Sequence, residues 1–334
     1  MTAVLVTGGA GYIGSHAVRE LARAGHAVVV FDNLSAGYRA AAEAALDGSG
    51  EIIDGDIRDT ARVTETLRSR RIDAVMHFAA SLSVGESVRD PLGYYGNNVI
   101  GALSVLQSMV AAGVGRLVFS STAAVFGNPE RTPITEDHPT RPINPYGETK
   151  LAVERALPHF ERAYGVRSVV LRYFNAAGAD PDGRLGEDHV PEQHVIPRAI
   201  DAAMGRGSFQ VFGEDYDTPD GTCLRDYIHV TDLATAHVLA LGSLREGGAS
   251  AVYNLGNGRP TSVREVLDAV ARVTGRRVPY ERGDRRPGDP GVLYASSDRI
   301  RRDLGWQPRY EDIETIVRTA WRWRDAHPSG YRGN

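Results

Sequence analysis

Short apolar runs alternate with stretches of helical periodicity along the first half of the chain. Val4-Leu5-Val6-Thr7 has the pattern of a buried strand and runs into Gly8-Gly9-Ala10-Gly11-Tyr12-Ile13-Gly14. Ile13, Ala17 and Leu21 then recur at i, i+4 and i+8, with Val18 beside them, and Gly25 is placed to cap the helix they predict. A second strand is predicted over 27–31, ending in Asp32. A third over 51–53 leads to Asp54-Gly55-Asp56 and a helix through Leu67. Residues 74–80 read as a fourth strand. Residues 97–112 read as a helix stopped by Gly113, with Val99, Leu103, Leu106 and Val110 on one face. A fifth strand over 116–119 runs into Ser120-Ser121-Thr122, and 168–173 is a sixth. Strands separated by helical segments imply an α/β fold, a doubly wound parallel sheet with right-handed crossovers. Ligands of such sheets bind beyond the carboxyl ends of the strands. Those ends carry Asp32, Asp56, Phe78, Thr122 and Tyr173.

The first turn narrows the ligand. Glycines at 8, 11 and 14 let backbone approach a pyrophosphate and offer it the N–H groups of a helix N-terminus. Asp32, at the end of the second strand, is placed to accept hydrogen bonds from an adenosine ribose. An acid there repels a 2′-phosphate, so the expected cofactor is NAD rather than NADP.

Composition sharpens this picture at one point. Of the 38 Lys and Arg residues, Lys150 is the single lysine, and it follows Tyr146 by four positions. On a helix that spacing puts both side chains on one face, about 5–6 Å apart at Cβ. A fixed ammonium favours the phenolate of a nearby tyrosine, which makes the pair a candidate proton acceptor. Taken alone, the pair is equally readable as two exposed side chains near a helix start. The glycine turn decides for the first reading. Net charge is −4 and the pI about 6.2, which gives no electrostatic footprint for nucleic acid or an anionic membrane. One cysteine, Cys223, excludes an internal disulfide and any multi-cysteine metal site. No signal peptide or membrane span is expected, and the expected location is the cytoplasm.

Motifs along nearly the whole chain resemble those of the extended short-chain dehydrogenase/reductases, and within them the UDP-galactose (UDP-glucose) 4-epimerases. The resemblance rests on residues 7–16 (TGGAGYIGSH), 55–57 (GDI), 77–80 (HFAA), 84–88 (VGESV), 94–98 (YYGNN) and 120–127 (SSTAAVFG). It continues through Tyr146 with Lys150, 172–179 (RYFNAAGA), 220–230 (DGTCLRDYIHV) and 285–290 (RRPGDP). It implies a Rossmann-type NAD-binding domain over 1–174, with some later segments returning to it. Residues 175–334 would be mainly a smaller α/β lobe for a nucleotide sugar. The implied activity is interconversion of UDP-galactose and UDP-glucose through a transient 4-keto sugar, in a homodimer pairing helices around 97–112 and 146–164.

By the same resemblance Gly8, Gly11, Tyr12, Ile13, Gly14, Asp32, Asn33, Asp56, Ile57, Phe78, Ala79, Ala80, Asn97, Tyr146, Lys150 and Tyr173 hold NAD. Tyr146, Lys150 and Thr122 are the implied catalytic residues. Asn175, His194, Val195, Phe212, Arg225, Arg286 and Asp289 would join Thr122 and Tyr146 around the UDP-hexose. Leu293 stands where relatives carry a residue that sets the room around the sugar 2-substituent; it is readable as that gate or as packing. Leu82 stands where some members have a cofactor-binding lysine. For Arg225 and Arg286 a surface ion pair is the less favoured alternative.

Two related activities fit less well. Nucleotide-sugar dehydratases carry Asp-Glu directly after the threonine, and here those positions are Ala123 and Ala124. A non-catalytic NAD-binding sensor would lack the tyrosine–lysine pair. Sugars with an N-acetyl group or a pentose remain open alternatives. Glu187, Asp188, His189, Glu192 and His194 contain metal-ligand types, but without helical or cysteine-anchored spacing they read as a solvated loop, and no metal is expected. Leu304-Gly305-Trp306 and a helix over 313–323 are expected to close the C-terminal lobe.

Overall fold

The computed structural model describes residues 1–286 and 290–333. Seven parallel strands form the central sheet: β1 (Ala3–Thr7), β2 (Ala27–Asp32), β3 (Glu51–Asp54), β4 (Ala74–His77), β5 (Arg116–Thr122), β6 (Arg167–Tyr173) and, after a three-stranded excursion, β10 (Ala251–Leu255). Their order is β10-β6-β5-β4-β1-β2-β3, so the winding reverses between β1 and β4. The crevice above that reversal is where such sheets take their ligands. Parallel strands buried on both faces need apolar residues at consecutive positions, which is why they stand out as unbroken runs. β4 ends at His77, and Phe78-Ala79-Ala80 form the loop above it, because Phe78 N–H and Ala79 N–H both donate to Thr7 O, at 2.9 and 3.1 Å.

The helices are α1 (Tyr12–Arg23), α2 (Arg39–Leu46), α3 (Thr60–Ser69), α4 (Val84–Arg89), α5 (Pro91–Tyr94), α6 (Gly101–Ala112), α7 (Pro145–Tyr164), α8 (Val195–Ala203), α9 (Val230–Arg245), α10 (Val263–Thr274), α11 (Asp298–Leu304) and α12 (Ile313–Ala326). α1 and α9 cover one face of the sheet, and α3, α6 and α7 the other. The predicted helix over 97–112 is regular only from Gly101. Residues 95–100 form a π turn, a wider geometry frequent at functional sites. Ala102, Val105, Leu106 and Met109 are buried, whereas Leu103 is 37% exposed and Ile100 60%.

The remaining strands are short. β7 (Asn175–Ala177), β9 (Leu224–His229), β11 (Pro260–Ser262) and β13 (Val292–Leu293) make a second sheet centred on β9. β8 (Phe209–Phe212) pairs in parallel with β12 (Tyr280–Gly283). A separate apolar core gathers α8, α10 and α12 against these strands. Trp306 does not close this lobe: it is 1% exposed, donates its indole N–H to Asp232 O at 3.0 Å and packs onto α9 over the central sheet.

Candidate active site

The glycine turn between β1 and α1 is held by contacts that leave no room for side chains at two positions. Gly8 has φ +73°, and a Cβ there would sit 2.5 Å from Ala79 N. A Cβ on Gly14 would lie 2.1 Å from Gly8 O. Gly11 is different, since the nearest atom to its Cβ position is 3.4 Å away. It is the N-cap of α1, and no side chain caps that helix. The positive end of α1 therefore faces the crevice with its first N–H groups open to an anion. This fits a dinucleotide pyrophosphate. Ile13 packs into the core behind the turn, and Tyr12 donates its hydroxyl to Gly178 O at 2.7 Å.

Asp32 ends β2 and is 8% exposed. Its carboxylate accepts from Ala10 N and Leu34 N, each at 2.9 Å, which fixes its orientation beside the turn. Burial raises its pKa, and the two backbone bonds oppose that rise. Asp56 is bonded by Arg58, whose guanidinium holds it down to about 2, and Asn33 approaches it at 3.4 Å. Ile57 is buried under this corner. Phe78, Ala79 and Ala80 line the loop after β4 and are half-buried, with the Phe78 ring 4.7 Å from that of His237. In the π turn, Asn97 is half-buried and donates to Ser81 Oγ at 3.3 Å. Its neighbour Asn98 is fully engaged, accepting from Ser81 N at 2.8 Å and donating to Ser81 O and to Thr149. Leu82 is 46% exposed.

The tyrosine–lysine pair lies on the first two turns of α7, which Asn144 caps by accepting from Gly147 N. Lys150 is 4% exposed. Its ammonium donates to Ser120 O at 2.9 Å and lies 5.3 Å from the centroid of the Phe119 ring. Burial brings its pKa down to about 8, against an opposing pull from Glu154. Tyr146 is partly accessible, and its phenol interacts with the Thr122 side chain at the end of β5. Burial raises the Tyr146 pKa, with the Thr122 interaction acting the other way. The expected lowering by Lys150 is thus not the net effect in the protein alone, where burial sets the direction. Tyr173, at the end of β6, is bonded to Ser120 Oγ, and burial raises its pKa.

Behind this pair lies an arrangement the sequence reading missed. Glu154 and Arg172 form a buried ion pair at 2.5 Å, and Ser121 donates to Glu154. The signal available was Glu154 at i+4 from Lys150, a position that places it on the same helix face.

Beyond Thr122 and Tyr146, the described residues expected around the sugar nucleotide lie on or beside β7, α8, β8, β9 and β13. Asn175 donates to Asp226 O at 3.0 Å. The Arg286 guanidinium stacks 4.0 Å above the Phe212 ring. Arg225 and Leu293 are in register across β9 and β13, and Leu293 packs against the small apolar cluster of Ala123, Val125, Phe126, Ile134 and Leu151. Val195 begins α8. His194 precedes it, and its Nδ1 turns away into a group with Glu187 and Glu192. The structure thus replaces the solvated loop by a converging cluster, because Glu187 is only 9% exposed. Asp289 lies outside the described residues. Among the described residues, no helix is long and apolar enough to cross a membrane.

Comparison with known proteins agrees with this geometry. A profile of the NAD dependent epimerase/dehydratase family matches residues 4–256. The chain is 51% identical over 329 residues to the UDP-glucose 4-epimerase of Lactobacillus helveticus, covering 98% of each. It resembles the crystal structure of the UDP-glucose 4-epimerase from Brucella ovis in complex with NAD, with a TM-score of 0.93, 52% identity, and 96% and 98% of the two chains covered. It also resembles that of the Stenotrophomonas maltophila UDP-glucose 4-epimerase with bound NAD and formylated UDP-arabinopyranose, with a TM-score of 0.95, 42% identity, and 98% and 99% covered.

Proposed function

This chain belongs to the NAD dependent epimerase/dehydratase family, and from that premise we propose that it interconverts UDP-galactose and UDP-glucose by a redox-neutral 4-epimerisation. The observation that carries the reading is the end of β5. Thr122 lies beside the Tyr146 phenol there and favours its ionised form, and the next two positions are the alanines 123 and 124. A proton can be moved at one sugar oxygen, but no acid–base pair follows to eliminate water across a neighbouring bond.

The glycine turn, the open N-terminus of α1 and Asp32 are the groups that would hold NAD. When bound, NAD supplies a reversible hydride acceptor for C4 of the sugar and, oxidised, a positive ring charge that favours a nearby phenolate. Tyr146 takes the proton of the 4-hydroxyl, and Thr122 hydrogen-bonds that oxygen and relays the proton. Lys150 acts from behind. Its ammonium, pinned to Ser120 O, keeps a positive charge in a place where water cannot screen it. Arg286, stacked on Phe212, and Arg225 supply cationic groups for a pyrophosphate. Leu293, packed against the cluster that includes Ala123, limits the space next to the reacting end.

The protein is proposed to act as a homodimer. Supporting this are Ile100 and Leu103 on the outer face of the π turn and α6, and Tyr164 at the end of α7, all exposed apolar groups. The proposed location is the cytoplasm, in keeping with a single unbridged cysteine. Purified protein incubated with UDP-galactose should produce UDP-glucose without added oxidant or reductant. Failure to do so with NAD present would refute the reading.

A further inference from the structure

Residues 187–194 carry the spacing Glu-x-His-x-x-Glu-x-His, and apart from His194, which the resemblance sets near the sugar nucleotide, these residues have no role in the chemistry above. In the structure the four side chains meet. Glu187 Oε1 lies 3.1 Å from His189 Nδ1 and 2.7 Å from His194 Nδ1. Glu192 Oε1 lies 2.9 Å from His194 Nδ1, and its Oε2 lies 3.7 Å from His189 Nδ1. One donor atom from each residue falls within 4.8 Å of all the others. We propose that Glu187, His189, Glu192 and His194 form a structural site for one zinc ion.

Three features argue for a metal rather than for ion pairs alone. Each imidazole directs the same atom, Nδ1, at carboxylate oxygens of two different glutamates. A single N–H can point at one of these oxygens, whereas a central cation satisfies both together. Second, zinc with bonds of about 2.0–2.2 Å in tetrahedral array sets its ligand atoms about 3.3–3.5 Å apart. The four imidazole–carboxylate separations, 2.7 to 3.7 Å, bracket that value. Third, two imidazoles with two carboxylates suit zinc, whereas magnesium and calcium prefer oxygen alone.

The surroundings suggest what the ion does. Asp188, inside the segment, accepts from Tyr331 N at 3.0 Å and is paired with Arg332 at 3.1 Å. Gln193 accepts from Ser83 Oγ at 3.0 Å, and the His189 ring meets that of Tyr12 edge-on at 6.2 Å. The ion would therefore brace one loop against the cofactor turn, the segment after β4 and the start of α8. All four ligands come from the protein, so no position is left for a reacting group.

The test uses untagged full-length protein, stripped with EDTA, incubated with excess zinc sulfate, desalted and analysed by elemental mass spectrometry. The wild type is expected to retain about one zinc per chain and to melt several degrees higher than the stripped form. The double variant His189→Ala/Glu192→Gln is expected to retain less than about a tenth as much and to show no shift. A wild type that retains no zinc overturns the proposal, and so does a variant that retains as much as the wild type. The wild-type comparison needs no variant, so misfolding of the variant leaves the test intact.

Discussion

Replacing Lys150 by methionine should cut turnover sharply while leaving the protein as stable as before, or more so. The side chain is 4% exposed, and burial brings its pKa from 10.5 down to about 8. That difference corresponds to about 3 kcal/mol by which the fold disfavours the ammonium relative to the unfolded chain. Against it stands the hydrogen bond to Ser120 O at 2.9 Å, whose loss leaves a buried carbonyl without that donor at a cost of about 1–3 kcal/mol. The balance lies between zero and about 2 kcal/mol in favour of methionine. Because the folded pKa is the lower one, the unfolded chain binds more protons between about pH 8 and 10.5. Wild-type stability should therefore rise with pH through that window. The buried Tyr146 and Tyr173, with raised pKa values, act oppositely above about pH 10, so the comparison belongs between about pH 8 and 9.5. Urea denaturation followed by circular dichroism should show the rise in the wild type and a smaller one in Lys150→Met. Conversion of UDP-galactose should fall by about 10²-fold or more. A variant destabilised by several kcal/mol, or one with near-normal turnover, would refute the reasoning.

Three further outcomes are expected. Tyr146→Phe should lower turnover about 10²-fold or more, and the double variant with Lys150→Met should be scarcely slower than either single one, since the two act as a unit; steady-state rates decide this. Denaturing the wild type should release about one NAD per chain, whereas Gly14→Ala, whose Cβ would sit 2.1 Å from Gly8 O, should release little. Leu293→Tyr should depress turnover of UDP-N-acetylglucosamine relative to UDP-galactose by about 10-fold or more; equal changes on both sugars would return Leu293 to simple packing.

The central sheet was legible because parallel strands buried on both faces must be apolar at consecutive positions, and β1, β2, β5 and β6 are. The tight glycine turn after β1 was legible because Gly8 and Gly14 tolerate no side chain. The second sheet was not, since β7, β11 and β13 have two or three residues each and too few positions to show alternation. Of the apolar face expected on the 97–112 helix, Leu106 and Val110 meet the core and Leu103 does not, and the π turn at 95–100 breaks the 3.6-residue count before α6 begins. Glu154 and Arg172 escaped notice. Charged residues ordinarily read as solvated, and only the structure pairs these two inside the protein. The Glu187–His194 group was read as a loop, because its spacing matches neither a helix nor a strand and convergence depends on how the segment folds back.

Epimerisation through a transient ketone makes one demand that other routes do not: the hydrogen removed from C4 must return to C4. UDP-galactose deuterated at C4, incubated with the protein in ordinary water, should give UDP-glucose that keeps its deuterium at C4, read by proton nuclear magnetic resonance and mass spectrometry. Deuterium lost to solvent, or no UDP-glucose formed, would contradict the account.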